Sequence, residues 1–216
     1  MTYLTCVQEV AHLVGVAAPV SIGDNTPVAL RFKRFADRAG QEIARRADWG
    51  QMQRTTTFTG DGARREWPLP DDFNHLIAGN PVFIQGGDMM RGSITMDEWL
   101  LLKMLPQGPS LTQPRHFRLQ GKVFHTGPVL ALQPGVVVEM TYVTSRFIKG
   151  STIEHFTLNE DETYFPERLI VLNMVWRWRR AQGAPYDDEL KEFEAELAGE
   201  AMADAGMRTP ADQAAA

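Results

Sequence analysis

A chain of 216 residues is one ordinary domain's worth of sequence, long enough to bury a core without disulfides or a structural metal. Hydrophobic residues at 44% and charged residues at 23% exclude wholesale disorder and a membrane-embedded chain, and a net charge of -5 argues against a dedicated nucleic-acid binder, whose affinity rests on neutralising phosphates. The uncharged, apolar stretch from Val10 to Ile22 is too short for a bilayer and broken by Pro19; with Cys6 the only cysteine and no cleavage site near the N-terminus, an intracellular product is expected.

The chain opens in helical period. Leu4, Val7, Val10, Ala11 and Val14 recur at spacings of three and four, so they share one face of a helix over Tyr3 to Val14, with Gly15 as its stop. Cys6 falls on or beside that face and reads as a small core residue, a reactive thiol being the lesser reading. A second helix can be capped by Asp24, Asn25 or Thr26, takes Pro27 in its first turn and runs to about Ala47. Its buried stripe is expected from Phe32, Phe35 or Ala36, Ala39, Ile43 and Ala47. Arg31, Lys33, Arg34, Arg38, Arg45 and Arg46 crowd the other faces against only Asp37 and Glu42.

After Trp49 the pattern changes to short β-prone runs between turn residues. Arg54 to Thr59, Gly60-Asp61-Gly62 and Arg65 to Leu69 predict a hairpin, ended by Pro68 and Pro70. Further runs are Leu76 to Ala78, Val82 to Gln85, Arg115 to Leu119, Lys122 to His125 and Val136 to Thr144, with turns at Gln120-Gly121 and Pro134-Gly135. The middle third therefore reads as a small antiparallel sheet or barrel. One helix interrupts it from Thr95 to Met104: Thr95 is its N-cap, Glu98 completes a capping box, and Trp99, Leu102 and Leu105 are expected to face inward.

Helical period returns after Asn159. Pro166 suits a first turn, and Leu169-Ile170-Val171-Leu172 with Met174, Val175, Trp176 and Trp178 is apolar nearly all round, which predicts a helix at the centre of a bundle. Gly183 and Pro185 close it, and Asp187 and Asp188 open a last helix with Leu190, Phe193, Leu197 and Ala201 on one face. That helix is acidic throughout, opposed only by Lys191. The expected architecture is α+β: a helical bundle formed by both chain ends, 1–49 and 157–206, a β-rich insertion with one short helix over 50–156, and a flexible C-terminal tail over 207–216.

Chemistry-bearing motifs are sparse. Phosphate-loop, G-x-S-x-G, H-E-x-x-H and C-x-x-C spacings are absent, and the glycine-rich run from Gln85 to Gly92 lacks the lysine and following helix of a phosphate cradle, so it reads as a loop. His12, His75, His116, His125 and His155 are scattered; His116 and His125 could approach across the Gly121 turn, but no further ligands are placed beside them. Asp71-Asp72 and Glu160-Asp161-Glu162 read as capping and solvated acids at turns. A hydrolase built on Asp71, Asp72 and His75 is the weakest reading considered, and no catalytic, cofactor-binding or metal residue is expected. Trp176-Arg177-Trp178-Arg179-Arg180 resembles a basic-aromatic nucleic-acid patch, yet helical geometry sends the two tryptophans about 200° apart and leaves Arg177 and Arg180 on a shared face, a pattern core packing explains. A DNA-binding regulator using the arginine-rich second helix is a further lesser reading.

The opposed charges of the second and last helices carry more information. Either they pair within the chain, or copies of the chain meet plus to minus in a closed ring. The order of elements resembles the head-to-tail adaptor (connector) proteins of tailed bacteriophages. The resemblance is carried by Leu4-Thr5-Cys6-Val7-Gln8-Glu9-Val10, by Glu42 to Trp49, and by Thr55 to Thr59 leading into Trp67-Pro68-Leu69-Pro70-Asp71-Asp72-Phe73. Met96-Asp97-Glu98-Trp99, Phe117 to Gly121 and Val175 to Gly183 continue it.

The resemblance implies a structural role without catalytic residues or cofactor. A homo-oligomeric ring, twelvefold by analogy with portal symmetry, would lie beneath the portal protein at the neck of the virion, after synthesis in the host cytoplasm. It would extend the DNA channel, through which DNA passes without specific binding, and dock the next tail or neck protein, with no membrane involved. Candidate portal or subunit-interface residues are Arg31, Lys33, Arg34, Arg38, Arg177, Arg180, Glu192, Glu196 and Arg208. A tail-completion or tail-tube component of the same particle is the alternative.

Overall fold

In the computed structural model, which describes residues 2–79, 82–86, 88–104 and 113–205, the first helix α1 (Tyr3–Leu13) starts at a capping box. Thr5 Oγ1 accepts the Thr2 backbone N–H at 2.8 Å, and Thr2 Oγ1 accepts that of Thr5 at 3.5 Å. At its other end Gly15, at φ +71°, turns the chain so that Gly15 N–H reaches His12 O and Val16 N–H reaches Ala11 O. These two bonds satisfy carbonyls that the helix leaves free. Thr26 caps α2 (Pro27–Arg46), its Oγ1 accepting from Ala29 N–H, and Pro27 stands where a missing N–H costs nothing. Ala36 rather than Phe35 lies in the fully buried stripe with Ala29, Phe32, Ala39, Gly40, Ile43 and Ala44.

The described residues divide into two compact units: those up to Met52 together with those from Thr144 onward, and Gln53–Val143. In the first unit α4 (Glu167–Ala181) is the hub on which α1, α2 and α5 (Asp187–Asp204) pack. Leu169, Ile170, Val171, Met174, Val175, Trp176 and Trp178 are buried all round it, and the Phe32 and Trp178 rings stack at 4.7 Å. Gly50–Met52 forms a short 3-10 turn after α2.

Residues 144–156 were expected in the insertion, but the compact unit containing the helices begins at Thr144. The physical reason is aromatic: Phe147 packs on Phe156 and Phe165, and Phe156 on Tyr3. The backbone agrees, because Tyr3 N–H donates to Asp161 O and Phe156 N–H to the Asp37 carboxylate. Burial raises the Asp37 carboxyl above the usual carboxylate range, an effect opposed by that bond and by the nearby His155 and Lys33.

The second unit holds two antiparallel sheets. One has the order β1 (Gln53–Thr59), β8 (Val137–Thr144), β4 (Val82–Ile84), β5 (Asp88–Met89), with β3 (Phe73–Leu76) also pairing β8; the other has the order β2 (Glu66–Pro68), β7 (Val123–Thr126), β6 (Phe117–Gln120). Alternation along β1 and β8 turns Phe58, Val138 and Met140 inward, where Phe58 stacks on Phe124 of the other sheet at 4.7 Å.

The hairpin predicted from Arg54 to Leu69 does not form. β1 pairs with β8 in the register Phe58↔Val138, and β2 pairs with β7 as Trp67↔Phe124. The turn residues between them instead carry the chain from one sheet to the other, with Gly60 and Gly62 N–H bonded to Val136 O and Leu132 O. Between the sheets' strands, α3 (Met96–Met104) carries the expected cap, Thr95 N–H donating to Glu98 Oε2 at 2.8 Å and Glu98 N–H to Thr95 Oγ1 at 3.3 Å. Its expected inward face is only half realised: Trp99 and Leu102 are half-buried, while Met96, Leu100, Leu101 and Met104 are exposed. Leu105 lies outside the described residues.

Candidate interaction surfaces

The acids, histidines and cysteine singled out in the sequence lie in separate local settings. Asp72 accepts the Tyr142 hydroxyl at 3.0 Å, while Asp71 is exposed on the preceding turn. His125 lies 3.4 Å from Glu66 with Trp99 edge-on to its ring, and His116 bridges Arg91, where burial first and Arg91 second lower its pKa. Asp161 Oδ2 gathers the N–H groups of Thr157 and Leu158, which makes that acidic run a loop clamp. Cys6 is buried and its thiol is pushed up to about 12, chiefly by that burial, so it is protonated and unreactive at neutral pH.

Charged side chains show how the helices are tied. Arg46 at the end of α2 grips Glu194 of α5 through both terminal nitrogens, at 2.7 and 2.5 Å, and these bonds hold the Glu194 carboxyl below the usual range. Arg168 of α4 reaches Glu192 at 3.6 Å and Glu196 at 3.1 Å, and Arg179 reaches Glu189 at 2.7 Å. Exposed pairs of this kind each contribute only about 0–1 kcal/mol, so they set register more than stability.

One network is deeper. Asn173, fully buried on α4, donates to Glu42 at 3.1 Å and accepts the Arg177 Nε–H at 2.6 Å, and Arg177 also binds Glu42 directly. The signal in the sequence is a single amide interrupting an otherwise apolar run, a residue that the hydrophobic pattern does not single out. A buried amide with both ends bonded to charged partners fixes α2 against α4 in one register.

The candidate interface residues thus separate by what they touch. Arg177 is bound to Glu42 and Asn173, Glu192 and Glu196 are near Arg168, and Lys33 is half-buried near Asp37. Arg31 lies over the Trp178 ring at 5.5 Å and Arg180 over Tyr186 at 5.8 Å, both exposed. Arg34 and Arg38 are exposed, with no carboxylate partner among the described residues. Arg208 lies outside the described residues. Arg45 and Arg46, counted in the sequence only as part of a basic face, border a cleft with Arg38, Gln41, Glu42 and Arg177.

The charged side chains thus tie the helices of the first unit together, and the described surface carries a cationic stripe on α2, acidic side chains on α5 and apolar side chains on α3. The chain belongs to the family described as SU10 adaptor protein, which it matches over residues 1–216, in agreement with the resemblance to phage head-to-tail adaptors. No curated protein matches the chain.

Proposed function

We propose that this protein is a head-to-tail adaptor that forms a homo-oligomeric ring, twelvefold by analogy with portal symmetry, beneath the portal protein in the neck of a tailed phage. The observation that carries this reading is the adaptor-family match along the whole chain. The ring extends the DNA channel and docks the next tail component, and DNA passes without specific binding. A net charge of -5 supports a lumen that does not hold DNA. Arg31, Lys33, Arg34, Arg38, Arg177, Arg180, Glu192, Glu196 and Arg208 serve subunit junctions or the portal face. The last helix and C-terminal segment meet the portal, and the β module faces the tail.

Exposed Met96, Leu100, Leu101 and Met104 on α3 support a docking role for that module, since contiguous apolar side chains in water gain by being covered. Mass photometry and negative-stain imaging of the protein mixed with its cognate portal test the proposal. The expected outcome is a portal-bound ring, with the free protein monomeric or weakly associated; failure ever to enter such a ring would overturn it.

A further inference from the structure

On α2, Arg31, Arg34, Arg38 and Arg45 fall within about 60° of one another around the helix and extend over about 21 Å of its length. All four are exposed, and among the described residues none has a carboxylate partner. The stripe runs into the cleft bordered by Arg38, Gln41, Glu42, Arg45, Arg46 and Arg177. Two of those guanidiniums are already oriented. Arg177 spends Nε on Asn173 and Nη2 on Glu42, and Arg46 spends Nη1 and Nη2 on Glu194. Arg177 Nη1 and Arg46 Nε remain as donors, held in place by side chains whose own positions are fixed.

We infer that this cleft and stripe bind the carboxylates of an acidic, extended protein segment. Guanidinium forks match carboxylates in pairs, and pre-ordered arginines lose little freedom on binding. At about 3.4 Å per residue, a strand of about six residues covers the stripe. A DNA duplex is the less suitable polyanion. Its phosphates spread over a wide surface, and beside the cleft they would meet Glu194, whose side chain is 43% exposed, and Glu42, 29% exposed. A single acidic strand along the stripe meets only Glu42 on its path, and the Glu42 carboxylate is already bound by Asn173 and Arg177.

The inference deepens the interface reading of Arg34, Arg38 and their neighbours by naming what they bind, and it rests on that reading only for where the segment would come from. Its test needs no ring. Fluorescence anisotropy of the full chain with a labelled peptide of about eight glutamates should show saturable binding that weakens with salt. Arg38→Gln combined with Arg45→Gln should weaken it by about tenfold or more, while Lys122→Gln in the β module leaves it unchanged. Both stripe positions are exposed, and an unchanged circular-dichroism melt confirms that the double variant is folded. No peptide binding at low salt, binding undiminished in the double variant, or tighter binding to a short DNA duplex than to the peptide would each overturn the inference. Ring assembly on the portal is read separately, so either result can fail while the other stands.

Discussion

Gly40 occupies the middle of α2, where glycine costs about 1 kcal/mol relative to alanine, so something else must favour it there. A β-carbon at that position would fall well inside contact distance of the Phe147 ring, which is fully buried and packed on Phe156 and Phe165. Overpacking of this kind costs about 1–3 kcal/mol, enough to cancel the propensity gain and exceed it. Gly40→Ala is therefore expected to lower the melting temperature, and Phe147→Leu in the same chain should offset part of the loss, because the two residues share one contact. A higher melting temperature for Gly40→Ala alone would mean that Phe147 is free to move. The sequence could not reveal this pairing, since Gly40 and Phe147 are brought together only by tertiary packing. The bond from Asn173 to Glu42 was hidden for the same reason, whereas Arg177 stands only four residues away on the same helix.

At the scale of elements, legibility followed the range of the interaction. Gly15, Thr26 with Pro27, Thr95 with Glu98, and Gly183 each act within a few residues, and each performs the role its local pattern predicts. Strand partnership is different in kind. The turn at Gly60 to Gly62 is present, but β1 finds its partner in residues 137–143 and β2 in residues 123–125, so the local hairpin loses to distant pairings that bury Phe58 and Trp67. The last helix was legible as acidic, whereas its use of Glu189 and Glu194 to hold Arg179 and Arg46 within the same chain was one of two equal readings. α3 gives an element-scale prediction because it buries no residue fully and depends on its cap. Hydrogen bonds from the Thr95 N–H and hydroxyl, the former first, hold the Glu98 carboxyl below its ordinary value. The support that Glu98 lends is thus present above its unfolded pKa and is lost as pH falls through the lower folded value. Glu98→Ala should speed amide hydrogen exchange at Thr95, Glu98 and Trp99 several-fold with little change in the melting temperature, and acidification should mimic it in the parent. An unchanged exchange rate in the variant would show that α3 is held by its half-buried Trp99 and Leu102 instead.

Across the whole molecule, the first unit draws on both chain ends, as the Phe32–Trp178 stack and the Arg46–Glu194 pair require, while the second encloses a core within Gln53–Val143. In that core Phe124 stacks on Phe58 at 4.7 Å and on Phe117 at 5.5 Å, with Trp67 at 6.4 Å, so one ring joins both sheets. Phe124→Ala removes a fully buried ring, a change that costs about 3–5 kcal/mol when the cavity cannot collapse. Where that cost is felt depends on how far cooperativity extends. If the unit around Phe124 opens by itself, native-state hydrogen exchange in the variant should accelerate through β2, β6, β7 and β1, while the amides of α1 and α4 keep the parent's protection. Equal acceleration in α1 and α4 would instead mark the chain as one cooperative body, and the β insertion could not then rearrange on docking a partner without loosening the bundle.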